Sequence, residues 1–257
     1  MPTAAVLIIG NEILSGRTHD ANIQYLASRL TALGIRLRET RVVEDDAAAI
    51  GRALNALRRA YTYVFTTGGI GPTHDDITAA SIAKALRLPL ITDRAALARL
   101  AAHYRDRGTT LNAARRRMAQ MPKGSTLIDN PVSSAPGFRI RNVFVLAGVP
   151  SIMQAMFESI APSLNGGPPL LSRTVRVNLP EGDIAQGLEQ LQERFADVEM
   201  GSYPTFSRRD WAVRIVLRCQ DADRLGAAVD AFIALIARLG GEAEEIATSA
   251  PAPVSPA

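Results

Sequence analysis

The sequence predicts an α/β protein: a mostly parallel sheet with helices on both sides over residues 1 to about 165, then a smaller α+β domain over about 170 to 247. Three observations carry this. Short continuous apolar runs alternate with amphipathic stretches through the first 160 or so residues, the pattern of a parallel sheet covered by crossover helices. Asn165-Gly166-Gly167-Pro168-Pro169 has the composition of a linker and sets the boundary. Beyond it the strands alternate, as Val213 and Ile215 do around Arg214, which marks an antiparallel sheet with one covered face.

Taken in order, Ala4 to Ile9 is an unbroken apolar run ending at Gly10, as expected of a strand buried on both faces. Asp20 to Leu33 places Ile23, Leu26, Ala27 and Leu30 at helical spacing, with Gly34 as the stop. Ile35 to Val43 reads as a strand, and Asp45-Asp46 can cap a helix that runs to Ala60 with Ile50, Leu54 and Leu57 on one face. Tyr61 to Thr66 is another buried strand, and helical periodicity resumes from Ile77 to Leu86. Asp93 to Arg107 and Thr109 to Gln120 read as two helices broken at Gly108; Val143 to Leu146 is a strand, and a helix follows from about Ser151 to Ile160. In the second domain the expected elements are Thr174 to Val177, Glu181 to Phe195, Val198 to Tyr203, Trp211 to Leu217 and Ala222 to Leu239. The Ala, Pro and Ser tail, 248–257, is expected to be disordered.

Composition narrows the function. With 47% hydrophobic and 21% charged residues the chain is neither fibrous nor largely disordered. No apolar run approaches the ~18 residues of a membrane span, and the start lacks a secretory signal, so a cytoplasmic protein is expected. The single cysteine, Cys219, forms neither an internal disulfide nor a thiolate zinc site. A net charge of +4 is almost entirely arginine, scattered through alanine-rich helices apart from Arg58-Arg59, Arg115-Arg116-Arg117 and Arg208-Arg209. Such runs read as solvated faces, so the partner expected is a phosphate-bearing molecule and not nucleic acid.

The most informative segment is Thr66-Thr67-Gly68-Gly69-Ile70-Gly71-Pro72-Thr73-His74-Asp75-Asp76-Ile77-Thr78. Three glycines at the carboxyl end of a buried strand let the backbone turn sharply and offer N–H groups to a phosphate. They serve equally well in a plain turn, and Asp75 or Asp76 in a helix cap. The segment is neither a Walker A loop nor the dinucleotide fingerprint, whose third glycine is His74 here. Two adjacent carboxylates beside an anion imply a divalent cation between the charges. Gly10-Asn11-Glu12-Ile13-Leu14-Ser15-Gly16-Arg17 follows the first strand and opens at the same sheet edge, either as a second binding loop or simply as a polar one. Asp45-Asp46 and Gly148-Val149-Pro150 occupy equivalent places after other strands.

Gly10 to Gly16, Thr66 to Thr78, Asn130 to Phe138 and Gly148-Val149-Pro150, in this order, resemble the molybdopterin-binding domain of the MoaB/Mog type, above all its CinA-like branch. The resemblance covers residues 1 to about 165, and Gly201-Ser202-Tyr203-Pro204 extends it loosely to the small domain of CinA-like proteins and of eukaryotic FAD synthases. Ala147 departs from the usual proline before Gly148. The resemblance implies a three-layer α/β/α domain, often a homo-oligomer, with its site where these loops meet. It assigns phosphate or substrate binding to Thr67, Gly68, Gly69, Gly71, Asn11, Glu12, Ser15, Gly16, Gly148 and Pro150, and catalysis and metal binding to Asp76 and Asp45, leaving Asp75 as the cap of the helix beginning near Ile77. It implies a divalent ion such as Mg, Mn or Co. The activity implied is hydrolysis of a nucleotide phosphoanhydride such as that of ADP-ribose, with molybdopterin binding or adenylylation as the alternative and a non-catalytic nucleotide-binding module as a third. The nicotinamide nucleotide amidase domain of longer CinA proteins has no counterpart in these 257 residues, so that activity is not expected.

Overall fold

The computed structural model describes residues 1–206 and 211–246. Arg208-Arg209 and the tail 248–257 lie outside the described residues. The chain divides between Gly167 and Pro168 into two compact units.

The first unit runs β1 (Thr3–Ile9), α1 (Asn11–Leu14), α2 (Asn22–Ala32), β2 (Arg36–Val43), α3 (Ala47–Ala60), β3 (Tyr63–Thr67), α4 (Thr78–Leu86), β4 (Leu90–Thr92), α5 (Arg94–Asp106) and α6 (Ala113–Arg116). It continues through a 3₁₀ turn (Arg117–Ala119), β5 (Gln120–Pro122), β6 (Thr126–Ile128), β7 (Gly137–Ile140), β8 (Val143–Leu146) and α7 (Pro150–Ile160). The main sheet has the order β2-β1-β3-β8-β7-β6. Its first four strands are parallel, while β7 and β6 add an antiparallel edge.

The apolar run of β1 serves two cores at once, because successive side chains point to opposite faces. Ala5, Leu7 and Ile9 pack on one face with Ile50, Leu54 and Leu57 of α3 and Ile82 of α4. Ala4, Val6 and Ile8 pack on the other with Leu26 and Leu30 of α2 and Met153 and Phe157 of α7. Phe65 of β3 stacks on Phe144 of β8 at 5.2 Å between ring centroids, and burying each such ring contributes roughly 1.5–3 kcal/mol. The result is the three-layer arrangement with a mostly parallel sheet.

The sequence reading differs from the structure mainly between α5 and β8. Thr109 to Gln120 is not one helix. Gly108 turns the chain out of α5 with a φ of +64°, the next helix begins only where the Asn112 side chain caps the short α6 by accepting from Arg115 N–H, and the chain extends at Gln120 to pair β5 with β4. Strands β4 to β7 have three or four residues each, too few for an alternation pattern to register.

The second unit comprises β9 (Leu171–Val177), α8 (Glu181–Arg194), β10 (Glu199–Phe206), β11 (Trp211–Cys219), α9 (Ala222–Arg238) and β12 (Ala243–Ile246). Its sheet, β10-β11-β9-β12, is antiparallel throughout. Val213, Ile215, Leu217 and Cys219 face a core closed by Leu225, Val229 and Phe232 of α9. Strand β12 has no apolar alternation to announce it; Arg173 and Arg176 of β9 hold it through ion pairs to Glu245 and Glu244. Among the described residues no helix is long and apolar enough to cross a membrane.

Candidate functional site

The loops that follow β1, β2, β3 and β8 leave the same edge of the main sheet, and the backbone brings them together. Gly10 N–H donates to Val43 O at 3.1 Å, and Asn11 N–H donates to Asp45 Oδ2 at 2.9 Å, so the first two loops are joined. A Cβ on Gly68 would stand 2.1 Å from Ile9 O, and one on Gly148 would stand 3.2 Å from the Gly68 Cα. The β3 loop is thus wedged between the end of β1 and the β8 loop. Asn22, buried at the start of α2, donates from Nδ2 to Gly148 O at 2.8 Å and pins the fourth loop.

Within the glycine-rich loop, Gly68 and Gly69 adopt φ values of +100° and +64°, where side chains other than glycine's are strained. Thr78, the buried first residue of α4, grips this turn: its hydroxyl donates to Gly68 O at 3.0 Å and its N–H to Gly69 O at 3.1 Å. Asp76 then closes the far side. Its Oδ1 accepts Gly71 N–H at 2.6 Å and its Oδ2 accepts Thr73 N–H at 2.7 Å. The Thr73 hydroxyl lies within hydrogen-bond distance of both Asp76 and Asp75, and it holds the Asp75 carboxyl below the usual carboxylate range.

Two assignments of the carboxylates change. Asp75 does not cap a helix: α4 begins at Thr78 behind Ile77, with no side-chain cap, because Thr73 draws Asp75 back into the loop. Asp76 is turned toward the amides of its own loop, so part of the N–H cradle expected to face a ligand is already filled by a carboxylate. Of the other pair, Asp46 is the cap, accepting Ala48 N–H at 3.0 Å and Ala49 N–H at 2.8 Å from α3. Asp45 is thereby left to reach the first loop.

The remaining residues are placed as follows. Asn11 and Glu12 lie exposed on α1, with the Glu12 carboxylate over Gly10. Ser15 and Gly16 form the turn that ends α1, Gly16 at φ +68°, and Ser15 donates its hydroxyl to Glu12 O at 3.3 Å. Pro150 is the first residue of α7, exposed, where its missing N–H costs nothing. Thr67 is different: it is buried with its hydroxyl unpartnered, and it supports the loop from beneath instead of lining it.

Sequence reasoning missed Arg117, Thr78 and Asn22. Arg117 reaches across from the 3₁₀ turn and donates to Pro72 O at 2.7 Å. With Gly69, Gly71, Asp76, Gln120 and Phe138 it lines a small cavity of about 40 Å³ beside the loop. No spacing rule reveals a contact across 45 positions. Asn22 was legible only as a helix residue.

Among the described residues no three His, Cys, Asp or Glu side chains form a ready metal cage. The donors present are oxygens, which suits a hard cation held by one or two carboxylates and completed by phosphate oxygens and water.

Residues 5–166 match the model of a family described as a probable molybdopterin binding domain. The chain belongs to the molybdopterin-binding domain family. This family member is also similar to the CinA protein of Thermoplasma acidophilum, whose crystal structure superposes with a TM-score of 0.59 at 35% identity, covering 63% of this chain and 97% of that one. Its residues 169–240 match the middle domain of FAD synthase. A probable FAD synthase of Caenorhabditis elegans is 32% identical over 91% of this molybdopterin-binding-domain chain, which spans about half that relative, 50% of its length. A protein of Archaeoglobus fulgidus, with no function in its name, is 32% identical over 90% of this chain and 96% of its own.

Proposed function

We propose that the protein hydrolyses the phosphoanhydride of a nucleotide such as ADP-ribose, with the help of a divalent ion (Mg, Mn or Co). The observation that carries this reading is the presence of two carboxylates, Asp45 and Asp76, on the two loops that flank the β1 loop at one sheet edge, beside a glycine turn held open by Thr78. The match of residues 169–240 to an FAD synthase domain supports a nucleotide as the ligand.

Asp76 and Asp45 are the carboxylates that would hold the ion. When bound, such an ion offsets the charge of the phosphates and of the transition state. The chain's own groups do the rest. Asn11 N–H fixes Asp45 through Oδ2, which leaves Oδ1 to accept a proton from an attacking water. That water forms a bond to phosphorus as the bridging P–O bond breaks, so ADP-ribose would yield two phosphate monoesters. The glycine turn lets the ligand's phosphates approach the backbone closely.

The second reading, molybdopterin binding or adenylylation, is favoured by the family description itself. A thermal-shift screen of ADP-ribose, FAD, ATP and molybdopterin, each with and without Mg, Mn or Co, separates them, since a ligand of the native state raises its stability by mass action. Stabilisation by ADP-ribose with metal, and release of monophosphates, is the expected result. Stabilisation by molybdopterin alone decides for the second reading, and tight nucleotide binding without turnover makes the protein a binding module. Light scattering on the same samples tests the homo-oligomer that the fold family suggests.

A further inference from the structure

We infer that Arg117 is the ligand-positioning cation of the glycine-rich site: its guanidinium, anchored on Pro72, receives the phosphate that the loop's own amides cannot fully hold. The inference rests on the proposed phosphate-bearing ligand and adds the residue that grips it.

A glycine loop binds phosphate through free N–H groups, yet Gly71 and Thr73 already give theirs to the Asp76 carboxylate and Thr78 gives its own to Gly69 O. The loop therefore faces a dianion with several donors spent and with two carboxylates, Asp75 and Asp76, close by. A positive group is needed at that point, and the structure supplies one.

The three consecutive arginines are sorted by what each touches. Arg115 lies over the Tyr104 ring, 4.3 Å from its centroid, and donates to Thr110 O. Arg116 donates to Leu111 O. Arg117 alone turns to the glycine loop, where it is exposed and lines the cavity that Gly69, Gly71 and Asp76 line. A guanidinium carries five N–H donors in a rigid fork, and Pro72 accepts one of them. The rest suit two phosphate oxygens at once, which a lysine ammonium cannot match while also holding Pro72.

The test is calorimetric titration with ADP-ribose and, separately, with inorganic pyrophosphate, in chelator so that metal does not enter. Arg117→Ala is expected to weaken both by about tenfold or more, a typical loss for a hydrogen bond to a charged group, with the melting midpoint within a few degrees of the parent. Arg117→Lys should recover part of the affinity and Arg117→Gln none. A merely structural prop gives no such dependence on charge; parent-like affinity in Arg117→Gln overturns the inference, as does parent-like affinity in Arg117→Ala. If the parent binds pyrophosphate but not ADP-ribose in chelator, Arg117 is still tested by the pyrophosphate series and the proposed substrate is tested by the screen with metal. If the parent binds neither, the inference about Arg117 falls, while the proposed substrate stands or falls by the thermal-shift screen with metal.

Discussion

The carboxylate of Asp45 accepts the backbone N–H of Asn11 at 2.9 Å, and so joins the loop after β2 to the loop after β1. Its neighbour Asp46 faces the other way and caps α3. The pair should therefore separate under mutation. Asp46→Ala should cost about 1 kcal/mol, a fall of roughly 2–4 °C in melting midpoint for a chain of this size, with turnover retained. Asp45→Ala should reduce metal-dependent turnover at least tenfold while shifting the midpoint less. Equal rates in the two variants would sink the division of labour.

Asp76→Asn should cost stability as well as activity. From the sequence, removing one of two adjacent like charges looks harmless or favourable. In the fold, both carboxylate oxygens accept backbone N–H groups, and an asparagine amide would set its own NH₂ against one of them, at a cost of roughly 1–3 kcal/mol. Asp75→Asn, which disturbs chiefly the contact with the Thr73 hydroxyl, should be mild. Melting curves and initial rates against metal concentration check both; a midpoint for Asp76→Asn at or above the parent's would show that the loop does not depend on this carboxylate.

Gly69→Ala should destabilise through two separable causes. The position has a φ of +64°, and the new Cβ would stand 2.3 Å from the Thr78 hydroxyl. Strain of this kind costs of order 1–3 kcal/mol. Thr78→Ala in the same chain should relieve the contact but not the backbone strain, so the double variant should melt above the sum of the single losses. Strict additivity would show that the hydroxyl is not in the way.

Stability should fall at both ends of the pH scale through one cluster between α2 and α7. Glu158 accepts Arg29 in a two-point ion pair and also Tyr25 Oη. The Arg29 hydrogen bonds hold its carboxyl below 4.5. Its contribution is thus present above that ordinary value and lost as pH falls through the lower folded one. Tyr25 is pushed up from 10.0 to about 12, by burial first and then by its bond to Glu158. Its neutral form is favoured by folding, so that contribution is present below pH 10.0 and lost as pH rises toward about 12. Denaturant midpoints across pH should show a shallower acid limb in Glu158→Gln and a shallower alkaline limb in Tyr25→Phe.

The parts of this protein that were legible in the sequence are those where a single physical rule acts on a long enough run. The run Ala4 to Ile9 had to be buried on both faces, and it is; Val213 to Cys219 alternates because only one face of its sheet is covered. The four loops were legible by position alone, since parallel strands send their carboxyl ends to one edge. What sequence could not show was how neighbouring polar groups choose partners. Asp45 and Asp46, or Asp75 and Asp76, are equal candidates on paper, and only the path of the backbone assigns one to a helix and another to a loop. Arg117 was hidden for a related reason: an arginine in a basic run carries no mark of what lies across from it.

Gly68 has the last carbonyl of β1 on one side and Gly148 on the other, with no room for a methyl group between. This junction is therefore a fixed part shared by three strands, and a side chain at Gly68 cannot be fitted without moving its neighbours. On the proposed function, divergence of ligand preference within this architecture has to come from exposed side chains at the rim, such as Arg117, which lines the cavity beside the loop. On that reading the scaffold can be handed from one phosphate ester to another by changes at a few exposed positions, while the backbone of the glycine turn stays as it is.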